Sequence, residues 1–246
     1  MAIDVELVAH TPDPERIVAI AARTCISDQS FGDISASLSA DDIRRLLATV
    51  IMKGHHSVLE HAEFTFAISG VSRVLSHQIV RHRIASYSQL SQQRSDASLL
   101  GYVIPPEIRK RHALMAEYDE LMLRCQEFYV RLADEGIPIG SARYVLPSSF
   151  QTRILMTMNA RSLFNLIAQR ECGAEEWEFR QVACLIHRRL LDVAPTLFGF
   201  AGPPCETDGI CPEGETGYQC PRRIATRSLV TNTRAEVSQL LRKASR

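Results

Sequence analysis

The stretch that decides how this chain is organised reads SHQIVRHRIASYSQLSQQR and spans residues 76–94. Arg81, His82 and Arg83 are consecutive, so their side chains cannot all point to one side of a helix or strand and must reach different partners. The hydroxyls and amides that follow add neutral hydrogen-bonding groups. Forked arginine donors suit phosphates and planar acceptors such as a ring carbonyl. The stretch therefore predicts a pocket for more than one anionic, ring-bearing ligand.

The composition of the whole chain indicates a folded protein with a sizeable core. The chain has 246 residues, of which 46% are hydrophobic and 23% charged, enough for one large domain or two small ones. Its 28 basic and 28 acidic residues cancel, which argues against sequence-independent nucleic-acid binding. No apolar run approaches membrane-spanning length, and the N-terminus lacks the pattern of a signal peptide. We therefore expect a cytoplasmic protein with no nucleic-acid or membrane partner.

Hydrophobic periodicity predicts an α+β fold, with helices packed on an antiparallel or mixed sheet. Alternation predicts strands at residues 3–9, 62–68 and 150–158, the second closed by Gly70. Helical spacing predicts a long helix in the middle of the chain, between Pro105-Pro106 and Gly136, with a core-facing stripe from Leu114 to Leu132. Further helices are predicted at 14–24, 43–51, 71–80, 160–170 and 175–193, with a polar loop at 28–37 and a linker at 141–147.

The composition changes after Gly199, and we predict one domain at residues 1–200 followed by a loop-rich C-terminal extension at 201–246. The extension carries Cys205, Cys211 and Cys220 among Gly, Pro and acidic residues. Three cysteines could hold a structural metal if a fourth ligand came from elsewhere. Their spacing lacks the Cys-x-x-Cys knuckle, so we favour plain reduced thiols and predict no metal.

Two functions fit parts of the sequence. The basic patch from Arg81 to Arg94 fits a non-catalytic nucleotide- or RNA-binding module, although an aromatic content of 7% is modest for base stacking. His55, His56 and His61 suggest a metal-dependent hydrolase. Zinc-binding helices, however, place their ligands one turn apart with an acidic base, as in His-Glu-x-x-His, and the order here is wrong.

One specific string favours a third function. Arg81-His82-Arg83, then seven residues, then Ser91 resembles the signature of the flavin-dependent thymidylate synthases, and residues 86–92 resemble that family as well. Two distant segments, 142–147 (ARYVLP) and 159–170 (NARSLFNLIAQR), also look like stretches of the same family, in the same order. The resemblance covers roughly residues 46–198.

The resemblance implies an enzyme that makes dTMP from dUMP by reductive methylation. In that family 5,10-methylenetetrahydrofolate gives the carbon, and FAD, reduced by NADPH, gives the hydride. The implied protein is an α+β homotetramer with active sites at subunit interfaces. Residues 1–200 would then be the catalytic domain.

The resemblance also implies a role for each matching residue. Arg170 would be catalytic, facing the uracil and favouring its ionised form, because a guanidinium stays protonated. The implied flavin site consists of Ser57, Arg81, His82, Arg83, Gln89, Asn159, Arg161 and Asn165, with His55 and Glu60 nearby. The implied nucleotide site consists of Gln78, Arg81, Gln89, Leu90, Ser91, Gln92, Gln93, Arg143 and Arg170.

The signature of this chain departs from the family pattern at two positions, and its serine could have more than one role. Family members commonly end it with Ser-x-Arg-Tyr, whereas this chain has Ser91-Gln92-Gln93-Arg94, so the phosphate-facing arginine is either lost to Gln93 or displaced to Arg94. Gln89 stands where some members carry Glu, which removes one charge beside the ligands. We read the Ser91 hydroxyl as a group that positions a ligand, because an alcohol needs an adjacent base to act as a nucleophile.

Overall fold

A four-stranded antiparallel sheet and a larger set of helices give the protein an α+β fold, as the sequence predicts. The computed structural model describes residues 2–94, 100–209, 211–213 and 220, so most of the predicted extension at 201–246 lies outside the described residues. The strand order is β1-β2-β4-β3. The strands are β1 (Asp4–His10), β2 (Glu63–Ser72), β3 (Ala85–Gln89) and β4 (Gln151–Asn159).

Helices make up most of the described secondary structure. They are α1 (Pro14–Thr24), α2 (Phe31–Ser37), α3 (Ala40–Met52), α4 (Arg73–Ile79), α5 (Pro106–Arg109), α6 (His112–Asp134), α7 (Ile139–Ala142), α8 (Ala160–Arg170), α9 (Trp177–Val193), α10 (Pro195–Phe198) and α11 (Pro204–Thr207). Two 3₁₀ helices span His56–His61 and Arg143–Val145. Within the described ranges, none of these helices combines the length and the apolarity needed to cross a bilayer.

The internal contacts of the chain divide it into two compact units. The first contains Met1–Val5, Ala67–Arg81 and Ser86–Met156, and the second contains Glu6–Phe66, His82–Ala85 and Thr157–Arg246. In the first unit, α6 packs against α5 and α7. In the second unit, α1 packs against α3 and the 3₁₀ helix His56–His61, while α9 packs against α8 and α10.

The predicted end of β2 at Gly70 is wrong, because the strand continues to Ser72. Gly70 has a φ of 69°, a left-handed conformation that other residues rarely adopt. A Cβ at this position would lie 2.4 Å from the carbonyl oxygen of Ala2. The glycine therefore permits a close approach of two backbones inside the strand, which is a known use of glycine in sheets.

Two segments predicted as irregular contain short helices, and a further short helix lies in the histidine-rich segment. Residues 28–37 include α2, which begins where the Ser30 hydroxyl accepts a hydrogen bond from the Asp33 amide at 3.2 Å. The segment at 141–147 contains the end of α7 and a 3₁₀ helix, and the histidine-rich segment is the other 3₁₀ helix. α2 buries only Ile34, and one buried side chain gives too little periodicity to predict a helix.

The core-facing stripe predicted for the long helix is also wrong. The chain forms α5 and α6 instead of one continuous helix, and α6 buries Met122 and Tyr129. Leu121 and Phe128 of the predicted stripe are 52% and 40% exposed. Because α6 has apolar residues on several faces, periodicity alone does not select the buried one. The apolar residues that α6 leaves exposed are Leu114, Leu121, Leu123, Phe128 and Val130.

Candidate active site

Arg170 is the last residue of α8, in the second unit, and it contacts the histidine of the signature. Its Nε donates a hydrogen bond to Nε2 of His82 at 2.8 Å. His82 is 5% exposed, whereas its neighbours Arg81 and Arg83 are exposed. The three consecutive side chains therefore do reach different surroundings, as their order in the sequence requires.

A carboxylate and a phenyl ring complete the surroundings of the Arg170 guanidinium. Its Nη1 donates to Oε2 of Glu175, in an ion pair whose side chains are 23% and 14% exposed. Its Cζ lies 4.6 Å from the centre of the Phe179 ring, an attractive cation–π distance. His82 packs edge-on against the same ring, with the ring centroids 5.5 Å apart. The guanidinium is thus held by three side chains.

Burial is the main reason that the pKa of His82 falls from 6.5 to about 4. The positive charge of Arg170 lowers this pKa further, and the negative charge of Glu175 opposes the change only in part. His82 is therefore neutral near pH 7. Because Arg170 donates to its Nε2, the ring proton is assigned to Nδ1. In this tautomer His82 is an uncharged acceptor that orients Arg170.

Several residues assigned to a flavin site meet where α8 packs against the 3₁₀ helix His56–His61. Arg161 of α8 forms an ion pair with Glu60 of the 3₁₀ helix. Phe164 packs against His56, with ring centroids 6.4 Å apart. Ser57 lies in the same 3₁₀ helix. The structure therefore brings Ser57, Glu60 and Arg161 onto two adjoining elements, although they are far apart in sequence.

The start of α8 also holds the chain that follows the signature arginines. The Ser162 hydroxyl accepts a hydrogen bond from the Ile84 amide at 3.0 Å, which fixes the residue after Arg83 beside the first turn of α8. Asn159 is the N-cap of this helix, since its Oδ1 accepts from the Ser162 amide at 2.9 Å. Asn165 is exposed on the same helix. Asn159 thus has a structural role beside the flavin role predicted for it.

The residues assigned to the nucleotide site lie in the first unit, except Arg170, which is in the second. Those of the first unit are on α4 and β3 and in the segments that follow α4, β3 and α7. The Gln89 side chain donates to the Thr152 hydroxyl at 3.2 Å, and the Leu90 amide donates to the β4 backbone at 3.0 Å. The Ser91 hydroxyl accepts from the Gln93 amide at 3.3 Å in the turn that follows. The set in this unit is Gln78, Arg81, Gln89, Leu90, Ser91, Gln92, Gln93 and Arg143.

Arg143 and Gln93 both contact Gly140, and Arg73 lies close enough to Arg143 to feel its charge. Arg143 Nε donates to the Gly140 carbonyl oxygen at 3.1 Å. The Gln93 side chain packs on the same glycine, where an added Cβ would lie 3.2 Å from Gln93 Cγ. The pKa of Arg73 is lowered, mainly by burial and also by the positive charge of Arg143. No carboxylate of the described residues pairs with Arg73 or Arg143, so the cluster suits an anion such as a phosphate.

Gln78, on α4, carries a buried oxygen that lacks a hydrogen bond. Its Oε1 has no partner, and it is the one such buried side-chain atom in the part of the chain that the structure describes. Leaving a buried acceptor unsatisfied costs about 1–3 kcal/mol. A ligand with a hydrogen-bond donor at this position would remove that cost.

Comparison with known proteins identifies the family. A family model described as thymidylate synthase complementing protein matches residues 6–196. The chain belongs to this family. The flavin-dependent thymidylate synthase of Geobacter sulfurreducens is 42% identical over 243 residues, which cover 98% of this chain and 99% of the relative. Those of Clostridium tetani and Sulfurisphaera tokodaii are 40% and 39% identical, and the matches cover 87% and 82% of this chain and 92% and 79% of the relatives.

The resemblance drawn from the signature is thus confirmed. This member of the flavin-dependent thymidylate synthases is an enzyme of dTMP formation from dUMP, and it works with a flavin cofactor. Two candidate residues of its site, Arg73 and Glu175, are missed by the sequence reasoning. The sequence predicts only that Arg73 lies within a helix and that Glu175 begins one. Only their tertiary contacts single them out.

The cysteines of the extension form no disulfide bond. Burial is the main cause of the raised pKa of the Cys205 thiol, and nearby groups add to it: Glu206, Cys172, Cys211 and Cys220. Across the described ranges, no three His, Cys, Asp or Glu side chains are grouped as a metal site. Among those residues, the three histidines on which the metal-hydrolase alternative rests form no such group.

The pair formed by His187 and Glu171 is expected to make the stability of this family member pH-dependent. His187 Nδ1 lies 3.0 Å from Oε1 of Glu171, and its Nε2 lies 3.0 Å from the Phe198 carbonyl oxygen. Burial opposes the charge of His187, but the hydrogen bond and charge of Glu171 outweigh it, and the pKa is raised above 6.5. The stabilisation is therefore complete below pH 6.5 and is lost as the pH rises through the folded-state pKa.

Urea unfolding between pH 6 and pH 9 measures this effect. The wild type is expected to lose stability as the pH rises, whereas His187→Gln should show a flatter dependence. His112→Gln, at an exposed histidine of α6, is the matched control and should follow the wild type. Parallel curves for the wild type and His187→Gln would contradict the assignment.

Proposed function

We propose that the protein converts dUMP, 5,10-methylenetetrahydrofolate, NADPH and a proton into dTMP, tetrahydrofolate and NADP⁺, with FAD as its flavin. The observation that carries the proposal is the Arg170 guanidinium, which His82 and Glu175 hold at the end of α8 in a chain of this family. A permanent cation fixed in a partly buried position is suited to stabilise negative charge as it develops on a ring.

Arg73, Arg143 and Gln93 support a site for the phosphate of dUMP. A nucleoside monophosphate carries about two negative charges near pH 7, and arginine forks bind such a group with strong hydrogen bonds. The signature of this chain has Gln93 where relatives commonly carry an arginine. Arg73, whose pKa is lowered mainly by burial and in part by the charge of Arg143, offers a cation in its place. We therefore assign the phosphate to these three side chains.

Further residues of the first unit would bind the rest of the nucleotide. Gln78 has a buried oxygen available for a ligand donor. Gln89, Leu90, Ser91 and Gln92 extend from β3 into the following turn, and their backbone and side-chain groups supply donors and acceptors at fixed positions. Arg170 would act on the uracil by favouring its ionised form, which makes C5 a better nucleophile toward the carbon donor.

The exposed guanidinium groups of Arg83 and Arg161 fit a flavin dinucleotide. Arg83 and Arg161 are exposed and carry forked donors suited to a diphosphate. Both are attached to the first turn of α8, Arg83 through the bond between Ile84 and Ser162. We propose that Ser57, Arg81, His82, Arg83, Gln89, Asn159, Arg161 and Asn165 form the FAD site, His82 from its buried position. FAD, once reduced by NADPH, would supply the hydride.

Assembly and location are further parts of the proposal. The exposed apolar residues of α6, among them Leu121 and Phe128, support burial against other copies of the chain, which fits a homotetramer. The family match at residues 6–196 supports a catalytic domain at 1–200 with an extension at 201–246. We propose that the enzyme acts in the cytoplasm.

Product analysis tests the proposed reaction. The purified protein is denatured and its flavin identified by chromatography, and dTMP formation is then measured by mass spectrometry with each substrate omitted in turn. We expect FAD and a dependence on dUMP, methylenetetrahydrofolate and NADPH. dTMP formation without methylenetetrahydrofolate, or FMN in place of FAD, would contradict the corresponding part of the proposal.

A further inference from the structure

Glu175 lies in the loop between α8 and α9 and fixes Arg170, although it belongs to neither the flavin set nor the nucleotide set of residues. One carboxylate oxygen, Oε2, accepts from Arg170 Nη1. The other, Oε1, accepts from the Glu176 amide at 3.0 Å. Because both oxygens are bonded and the side chain is only 14% exposed, the carboxylate has a defined position rather than one of many rotamers.

The contacts of Arg170 leave one edge of its guanidinium unused. Nε is bonded to His82 and Nη1 to Glu175, and the face of the group lies over Phe179. Among the described residues, no hydrogen bond engages Nη2. A guanidinium is planar, so fixing Nε and Nη1 also fixes the direction of the Nη2 hydrogens. That edge is the one available to a planar acceptor.

We propose that Glu175 is a positioning residue of the reaction, holding Arg170 so that the Nη2 edge of the guanidinium meets the carbonyl edge of the uracil. The inference rests on the proposed function, since it presupposes that Arg170 acts on dUMP. Glu175 acts through geometry. Its negative charge offsets part of the positive charge of Arg170, so it does not strengthen the attraction between Arg170 and the uracil. It helps the reaction by fixing the direction in which the N–H groups of Arg170 point. His82, as a neutral acceptor, fixes the Nε end of the guanidinium without adding charge.

A double-mutant cycle tests the proposal. The rate of tritium release from dUMP labelled at C5 is measured for wild type, Glu175→Ala, Arg170→Ala and the double variant. A misplaced catalytic group can cost about 10²-fold, so Glu175→Ala is expected to lower kcat by 10- to 100-fold. The double variant should be no slower than Arg170→Ala, because Glu175 acts through Arg170. If the rate loss of the double variant equals the product of the losses of the two single variants, the proposal is overturned.

Two further variants keep the test decisive. Glu175→Gln retains the shape of the side chain and one acceptor oxygen. Its kcat should lie between those of wild type and Glu175→Ala. If Glu175→Ala does not fold, the kcat of Glu175→Gln alone tests the positioning role. Glu120→Gln removes an exposed carboxylate of α6, in a pair with Arg124, and should leave kcat unchanged. A kcat for Glu175→Gln and Glu175→Ala within twofold of the wild type would overturn the proposal.

Equilibrium binding of dUMP, measured by calorimetry, gives a readout besides turnover. Because the phosphate is assigned to Arg73, Arg143 and Gln93, Glu175→Ala is expected to change the Kd of dUMP by less than threefold while kcat falls. A loss of dUMP binding as large as the loss in kcat would overturn the positioning role. If the wild type releases no tritium, the proposed function is overturned as well. If the wild type releases tritium and the Glu175 variants release it at the same rate, only the role of Glu175 is overturned.

Discussion

Replacing Arg170 with alanine is expected to lower tritium release from C5-labelled dUMP by about 10²–10³-fold, the cost of losing one fixed electrostatic donor in an active site. The chain should remain folded, because Arg170 lies at the end of α8 and its side chain is 23% exposed. Arg170→Lys keeps the charge but loses the planar fork, and we expect it to recover only part of the rate. Steady-state kinetics with saturating dUMP measures the effect.

Stability must be separated from catalysis in this variant. Removing Arg170 leaves Glu175 partly buried without its partner, which lowers stability. Adding Glu175→Gln to Arg170→Ala should restore the melting temperature but not the rate. Arg124→Ala, at an exposed ion pair of α6, is the matched control and should keep wild-type kinetics. Wild-type turnover in a folded Arg170→Ala variant would contradict the assigned role.

Replacing Phe64 with alanine is expected to lower the free energy of unfolding by about 3–5 kcal/mol, the usual cost of emptying an aromatic site in a core. Phe64 is fully buried in β2. Its ring packs edge-on against Phe198 of α10, with centroids 5.3 Å apart, and stacks on His10 at 6.2 Å. The loss is a large fraction of the roughly 5–15 kcal/mol that stabilises a typical domain.

Urea unfolding followed by circular dichroism measures this loss. Phe31→Ala removes the same ring from a side chain that is 71% exposed, and it should change the free energy of unfolding by less than about 0.5 kcal/mol. Equal effects of the two substitutions would show that the ring contacts of Phe64 do not hold the second unit together.

Strong local signals explain where the sequence predicts the fold well. The predicted bounds of α1 and α8 match the structure, and a capping box of Ser39 and Asp42 begins α3. β3 is missed, because its five residues, mostly Ser, Tyr and Gln, carry no hydrophobic alternation. Its position depends on bonds to β4, such as that from Leu90 to the backbone of Arg153, which no local pattern encodes.

The sequence points to the residues of the candidate site that lie in recognisable motifs, but not to those that only tertiary packing brings there. The signature string points to the residues around Arg81, and the segment after Asn159 points to Arg161 and Arg170. Glu175 could not be predicted, because its role depends on how the loop after α8 turns back onto Arg170. Arg73 could not be predicted, because its proximity to Arg143 arises from packing within the first unit.

Tritium release from C5-labelled dUMP is the most direct test of the central claim, that this chain uses Arg170 and a flavin to methylate dUMP. The protein is incubated with labelled dUMP, methylenetetrahydrofolate, FAD and NADPH, and each component is omitted in turn. The account predicts release that requires the flavin and NADPH and that falls by about 10²–10³-fold in Arg170→Ala. A folded, flavin-loaded protein that releases no tritium would contradict the account.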